Sequence, residues 1–565
     1  MYGEKNYARW IVPIIIIVAV SIVTWDIYQG QQLNIKEIQQ KVIRACQNQN
    51  FPQAIQLLEE TLVKMPKSYG LRYTLVRIYL LQNQPYKAQQ HLDICLKKIG
   101  EKPFLKALQA QIWEKQGLID QAYLLYKKII QQKPDMIAVR MAIIDLSLRK
   151  KDFAVTQKNI RVIEKQFPDA QKKFPDIYRW KGQMLIWQGK FREAQAPIER
   201  YLAIDPIMFR IQRQWYQIMS TIGKLPQART HFQQQIKKAK PENKLFFQQL
   251  HALLLPPQER VAKLEKLLKK YSSPFVRMAL ISALMQIGRP EDAISHCQAL
   301  KNLPPMFEGK RLAWLEHAYF LMGDYKKARE ICDRLMAGPA KFLAYMGLIN
   351  LELVAGHYEK AENYAKIAGS APHGDQEGYE IQLMQARIAY EAGKFEMAFQ
   401  LAQAIKRKAL PGLPAYPHAL FKMAQASLAQ KKYRQAAKFF HEIEIRPSWV
   451  NDLRIRAAIW EGMAIWLSGQ NPAPVWHKLA QMPWSDYIVD PAWISCLSYL
   501  AGQNSQLADA VKKNPMHQND AWLIMGMKYQ LEGKGKKAME AYQKGALVSR
   551  GHEFPWYELK KLLAK

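Results

Sequence analysis

Apolar residues recur along residues 35–550 in helix-length runs, each broken by a short polar elbow. One run comprises Leu312, Trp314, Leu315, Ala318, Tyr319 and Leu321, a spacing that lines one face of an amphipathic helix. It ends at Met322–Glu330, "MGDYKKARE", and a second amphipathic run follows. Close variants of this elbow stand at 188–195 ("QGKFREAQ"), 355–362 ("AGHYEKAE"), 392–399 ("AGKFEMAF") and 431–438 ("KKYRQAAK"). A glycine at this place in six copies along the chain, Gly189, Gly223, Gly288, Gly323, Gly356 and Gly393, suits the left-handed residue that ends a helix. The aromatic residue two places on (Phe191, Tyr325, Tyr358, Phe395, Tyr433) is placed to fill the space between paired helices. The small residue that follows lets the second helix come close.

Aligning the chain on that small residue gives Ala54, Ala88, Ala122, Thr156, Ala194, Ala228, Ala262, Ala293, Ala328, Ala361, Ala398, Ala436 and Ala538. The first three intervals are 34 residues each, and 34 recurs twice between Ala194 and Ala262. Weak copies fit at Pro474 and Ala508. Prolines twelve residues after the aligned position, Pro66, Pro134, Pro168, Pro206 and Pro274, end one unit and open the next. A period sustained over this length predicts a repeat array. A single helical hairpin cannot bury its own apolar face, so neighbouring units must stack.

The elbow, its alanine and the 34-residue period resemble the tetratricopeptide repeat family over about residues 35–550. The resemblance implies an all-α fold: a right-handed α-solenoid of stacked helix-turn-helix units whose first helices line a concave groove for peptides or partner proteins. Thr156 in place of alanine, Gly535 in place of the aromatic, and the stretch 470–515 depart from the pattern. The expected layout is a tail at 1–9, a transmembrane signal-anchor at 10–29, a linker at 30–35 and about twelve repeats over 36–445. Degenerate Trp-rich repeats then occupy 446–550, and a capping helix 551–565.

The anchor rests on "WIVPIIIIVAVSIVTW", Trp10 to Trp25, sixteen residues without a charge. A bilayer core of about 30 Å needs about 20 helical residues, which Ile27–Gly30 and a snorkelling Arg9 would complete. The rival is a signal peptide cleaved near Ala19-Val20-Ser21, against which the apolar stretch continues through Trp25. Lys5 and Arg9 before the span and Asp26 after it put the bulk of the chain outside, in the periplasm of an inner-membrane protein. Lys36, Lys41 and Arg44 follow closely and favour the cytoplasmic alternative.

Charge adds a partner chemistry. With 82 basic and 48 acidic residues the net charge is +34, which points to an anionic environment or partner. The excess is uneven: residues 205–244 hold eight Lys or Arg against two acids, whereas 449–530 hold six of each. The cysteines Cys46, Cys95, Cys297, Cys332 and Cys496 form no CxxC and are expected as small buried apolar residues. No catalytic, nucleotide-binding or zinc motif occurs, so the expectation is a non-enzyme without cofactor or metal ligands, and His441-Glu442 is expected at a solvated surface.

Family geometry places groove-facing side chains 18, 15, 11 and 8 residues before each aligned position. The resemblance thus implies Arg77, Arg179, Arg210, Arg213, Lys244, Lys310 and Arg387 as basic groove residues for an acidic partner, with Asp145, Asp176, Glu380, Asp490 and Asp520 as acidic ones. Guanidinium suits carboxylates because it can bind them through two parallel hydrogen bonds. Eight of the fifteen tryptophans lie at Trp449 or beyond, and Trp484 in "MPWSDY" is the candidate docking aromatic.

These features predict a membrane-tethered scaffold or adaptor for protein partners, in bacterial envelope assembly, secretion or polysaccharide export. One alternative is a cytoplasm-facing adaptor that regulates an envelope enzyme. Another is a binder of polyanions such as acidic glycan or nucleic acid, the latter disfavoured by the absence of any nucleic-acid motif.

Overall fold

The computed structural model describes residues 35–548 except 49, 168, 207, 301–304, 372–373, 447–450, 488, 505–506 and 508–517. The expected anchor at 10–29, the capping segment 551–565, Pro168 and Ala508 lie outside the described residues. Among the described residues there is no strand, and successive helices pair as antiparallel hairpins joined by three-residue elbows. None of the described helices is long and apolar enough to cross a membrane.

The elbow works as its residues demand. In the hairpin of Tyr69–Leu81 and Pro85–Ile99, Asn83 takes the left-handed conformation at φ 54°. All six glycines of the elbow pattern do the same, with φ between 74° and 78°. Lys151 (φ 61°) and Lys431 (φ 62°) hold this conformation without glycine. The aromatic opens the second helix and covers the last turn of the first: Tyr325 sits 5.6 Å from Phe320, and Phe395 5.4 Å from Tyr390. Pro66, Pro134 and Pro206 lie in turns between units, and Pro274 opens the helix Pro274–Gln286.

The aligned residue is the fourth of each second helix, as Ala54 is in Phe51–Lys64 and Ala328 in Tyr325–Met336. Twelve of the thirteen are at most 3% exposed, Thr156 included. Thr156 keeps its hydroxyl satisfied, 2.8 Å from the Ser147 hydroxyl and bonded to the Asp152 carbonyl. One turn on, Leu58, Leu92, Ile160, Phe232 and Phe440 are equally buried. Burying a side chain of that size contributes about 1.5–3 kcal/mol.

Ala262 is the exception and corrects the expected register: it is exposed. The fourth residue of its helix, Pro257–Tyr271, is Arg260, and the buried residue one turn on is Leu264. The intervals on either side are therefore 32 and 33 residues rather than 34 and 31. Arg260 cannot lie flat as alanine does. Its Nη1 donates to Gln286 Oε1 at 2.8 Å and its Nη2 to the Leu255 carbonyl at 3.2 Å.

The helices divide into two compact units, Met1–Met184 with Ala196–Gln212, and Leu185–Gln195 with Arg213–Lys565. Within the second unit the array returns to touch itself. The Gly412 amide donates to the Trp187 carbonyl at 3.1 Å, and Asn451 Nδ2 to the Ser220 carbonyl at 3.0 Å. A Cβ on Gly412 would stand 1.7 Å from the Ile186 carbonyl oxygen, and one on Gly223 would stand 2.6 Å from the Tyr487 ring. Only glycine permits either approach. Arg260 belongs to the same seam: burial holds its pKa below the usual value, while Tyr216, Asp452 and Asp490 act to favour its charge. The elbows at Gly189 and Gly223 thus meet segments far along the chain, around Gly412, Asn451 and Tyr487, and Arg260 of the next unit feels the charge of Asp452 and Asp490 there.

Where the pattern decays, large aromatics fill the junctions. Trp460, Trp476, Trp484 and Trp493 are at most 5% exposed, and the Trp476 indole lies against Gly462. The five cysteines are free and buried, as expected of small apolar residues.

The left-handed lysine yields a test. An L-residue in that conformation costs about 1–2 kcal/mol, partly offset in glycine by its greater freedom when unfolded. Lys431→Gly is therefore expected to stabilise the fold by about 0.5–1 kcal/mol. Thermal denaturation checks this, and an unchanged or lower midpoint would contradict it.

Candidate functional site

The candidate site is the set of first helices in each hairpin, whose inward positions the family resemblance assigns to partner binding. The predicted basic residues fall into three environments. Arg77 and Arg179, in the first unit, are engaged. Arg77 lies 5.9 Å from the Tyr73 ring centroid, which packs edge-on to Phe104. Burial lowers the Arg77 pKa and outweighs the opposing influence of Tyr73. Arg179 Nε donates to Asp176 Oδ1 at 2.7 Å, and its Nη2 stands 3.9 Å from Asp145. Predicted acidic and basic groove residues here neutralise one another, within one first helix for Asp176 and across to the preceding first helix for Asp145.

Arg387 and Trp484 correct the expectation outright. Arg387 is 8% exposed and donates to Asn350 Oδ1 at 2.9 Å, so it ties two first helices together. Trp484 is 3% exposed, donates from Nε1 to the Leu479 carbonyl at 2.8 Å and lies beneath Arg454. It is a core residue, unavailable to a docked partner. Asp490 is also consumed internally, capping Pro491–Leu500 by accepting from the Ala492 amide.

Arg210 in the first unit, and Arg213, Lys244 and Lys310 in the second, are exposed. Lys244 leaves the groove set once the register is counted from Arg260, because the inward positions become Glu242, Leu245, Gln249 and Ala252. Arg213 lies on Phe209–Thr221 and Lys310 on Pro305–Met322. Neither forms an ion pair with a carboxylate among the described residues. Lys310 rests its ammonium 5.0 Å from the Trp314 ring centroid. In water such a contact is worth about 0.5–1 kcal/mol and leaves the charge available to a partner.

Behind this face lie buried carboxylates that no sequence motif signals. Glu352 is held by Arg329 and by His357, whose Nδ1 is 2.9 Å away. Burial alone would raise the Glu352 pKa, but these bonds prevail and keep it below the usual value. Glu316 has no such support: it is 7% exposed and its Oε1 has no hydrogen-bond partner among the described residues. Burial pushes its pKa from 4.5 to about 7. It sits where Lys341–Val354 approaches closely, since a Cβ on Gly347 would meet Cys332 Sγ at 2.7 Å and Glu316 at 3.0 Å.

Glu316 makes stability depend on pH in a fixed direction. The folded pKa exceeds the unfolded one, so the carboxyl costs nothing below about 4.5. The cost grows as pH rises toward 7 and is constant above, on the order of 3 kcal/mol. Glu316→Gln is accordingly expected to raise the melting temperature more at pH 8 than at pH 4.5. Equal shifts at the two pH values would show that Glu316 ionises freely in the fold.

Comparison with known proteins agrees with the helical hairpins. Residues 45–112 match a family model described as tetratricopeptide repeat. No curated protein sequence matches the chain. Among solved structures, the chain is similar to one titled "Crystal structure of APC/C hetero-tetramer Cut9-Hcn1", at 11% identity and a TM-score of 0.43, covering 96% of this chain and 98% of that one. Another, titled "Structure of Naa15/Naa10 bound to HypK-THB", has 14% identity and a TM-score of 0.25, covering 94% and 96%. At these identities and scores neither likeness informs function. The matched segment contains the elbow at Asn83 and Ala88: residues 45–112 are similar to the tetratricopeptide repeat, and the same elbow recurs along the chain as far as Ala538.

Proposed function

We propose that this protein is a scaffold that recruits a partner protein through its first-helix faces, and that the partner presents an acidic segment. One observation supports the reading: Arg213 and Lys310, at positions that the family resemblance makes inward-facing, are exposed and form no ion pair with a carboxylate among the described residues. Cations left in this state attract carboxylates without first breaking an internal pair. The partner surface is narrower than composition suggests, since Arg77, Arg179 and Arg387 are already engaged by the fold.

The same proposal tethers the scaffold at the apolar stretch 10–29, with Lys5 and Arg9 inside and the repeats in the periplasm of a bacterial inner membrane. Confinement to the membrane raises the effective concentration of a weakly held partner, so modest affinity suffices. Envelope assembly, secretion or polysaccharide export are settings where such tethering is useful.

Crosslinking in intact cells followed by mass spectrometry tests the recognition. The double variant Arg213→Glu/Lys310→Glu is expected to lose partners that the wild type retains, while Lys269→Glu/Lys270→Glu, on the second helix Pro257–Tyr271, keeps them. Identical partners from all three proteins would refute the acidic-segment reading. A C-terminal alkaline phosphatase fusion is expected to be active; an inactive phosphatase beside a fluorescent GFP fusion would place the repeats in the cytoplasm.

A further inference from the structure

His441 and Glu444 stand one turn apart on the second helix Tyr433–Ile445, and the next first helix, Asn451–Leu467, contributes Glu461. His441 Nδ1 lies 3.2 Å from Glu461 Oε1 and 3.6 Å from Glu444 Oε2. One donor atom from each residue lies within 4.8 Å of the other two. Both carboxylates are nearly inaccessible, 6% exposed for Glu444 and 7% for Glu461, whereas the imidazole is half-exposed. Glu461 Oε2 is buried and accepts no hydrogen bond among the described residues. Neither carboxylate has a Lys or Arg ion-pair partner there. Arg454 directs its Nε to the Glu444 backbone carbonyl at 3.1 Å instead, and Lys478 acts on Glu461 only as a neighbouring charge.

Two adjacent buried carboxylates served by one neutral or singly charged imidazole are under-compensated. Removing ionised carboxylates from water costs several kcal/mol each, which a pair recovers only with a well-placed positive charge. A dication would supply the positive charge that both acids lack.

The spacing fits such an ion. A tetrahedral zinc site with bonds of about 2.0–2.1 Å has ligand atoms about 3.3–3.4 Å apart. The two observed separations from His441, 3.2 and 3.6 Å, bracket that value. One imidazole nitrogen with two carboxylate oxygens is a donor set suited to zinc, whereas calcium and magnesium favour oxygen alone. We propose that His441, Glu444 and Glu461 bind one zinc-type dication, with solvent as fourth ligand on the open side of His441. The ion would clasp the last regular second helix to the first helix of the Trp-rich segment.

Isothermal titration of the full-length protein, stripped with chelator and titrated with zinc chloride, tests the site. Wild type is expected to bind one zinc ion with an affinity that Glu461→Gln, Glu444→Gln and His441→Ala each weaken at least about tenfold. Cobalt(II) should report the same site through the visible absorption of a tetrahedral centre. Circular dichroism confirms that each variant is folded, and the near-isosteric glutamine variants decide the matter if His441→Ala fails that control. The proposal is overturned if wild type takes up no zinc, or if the glutamine variants bind it as tightly as wild type does, which would assign uptake to other histidines.

Discussion

Everything in this fold depends on how closely two helices can approach at the first turn of the second one. A methyl group at that point admits the last turn of the preceding helix, and the left-handed residue of the elbow turns the chain in three residues. With that distance set, the side chain one turn further on, Leu58, Leu92, Phe232 or Phe440, meets its neighbours in a dry interior. The glycine and the alanine are two halves of one device: one reverses the chain, the other removes whatever would hold the helices apart.

The polar interior shows what stacking demands of charged side chains. First helices of adjacent hairpins lie side by side, so groups on them pair with each other before any partner arrives. Arg179 with Asp145 and Asp176, and Arg387 with Asn350, are the result. Glu316 and the pair Glu444 and Glu461 mark where pairing is incomplete, and the fold bears that cost locally. The charged side chains that stacking does not use form a much shorter list than the net charge suggests.

The hairpins were plain in the sequence because their signal is local and repeated: the elbow glycines, the aromatic, and a small residue at a near-constant interval. Twelve of thirteen aligned positions are buried for that reason. The failure at Ala262 has a physical cause. "ERVAK" offers an alanine two residues beyond the true position, which an arginine occupies in order to serve the distant seam. The site residues were less legible. Position along a helix says which way Arg387 points, but not that Asn350 of another first helix is waiting for it. Trp484 resembled a docking aromatic because its neighbours are a proline and a turn, yet those residues form a short 3-10 helix that folds the indole inward. His441, Glu444 and Glu461 lie on two helices, and the 16 residues between Glu444 and Glu461 match no ligand spacing, so only the packing brings them together.

Open helical arrays behave as springs, because each unit can tilt slightly against the next and the small rotations add. The second unit has forgone that compliance. Hydrogen bonds from Gly412 to Trp187 and from Asn451 to Ser220 fasten one coil of the array to the coil beyond it. A fastened coil has a fixed pitch, so pulling or bending is resisted until the seam parts and is then yielded all at once. The side chains on either side of the seam are thereby held at set separations.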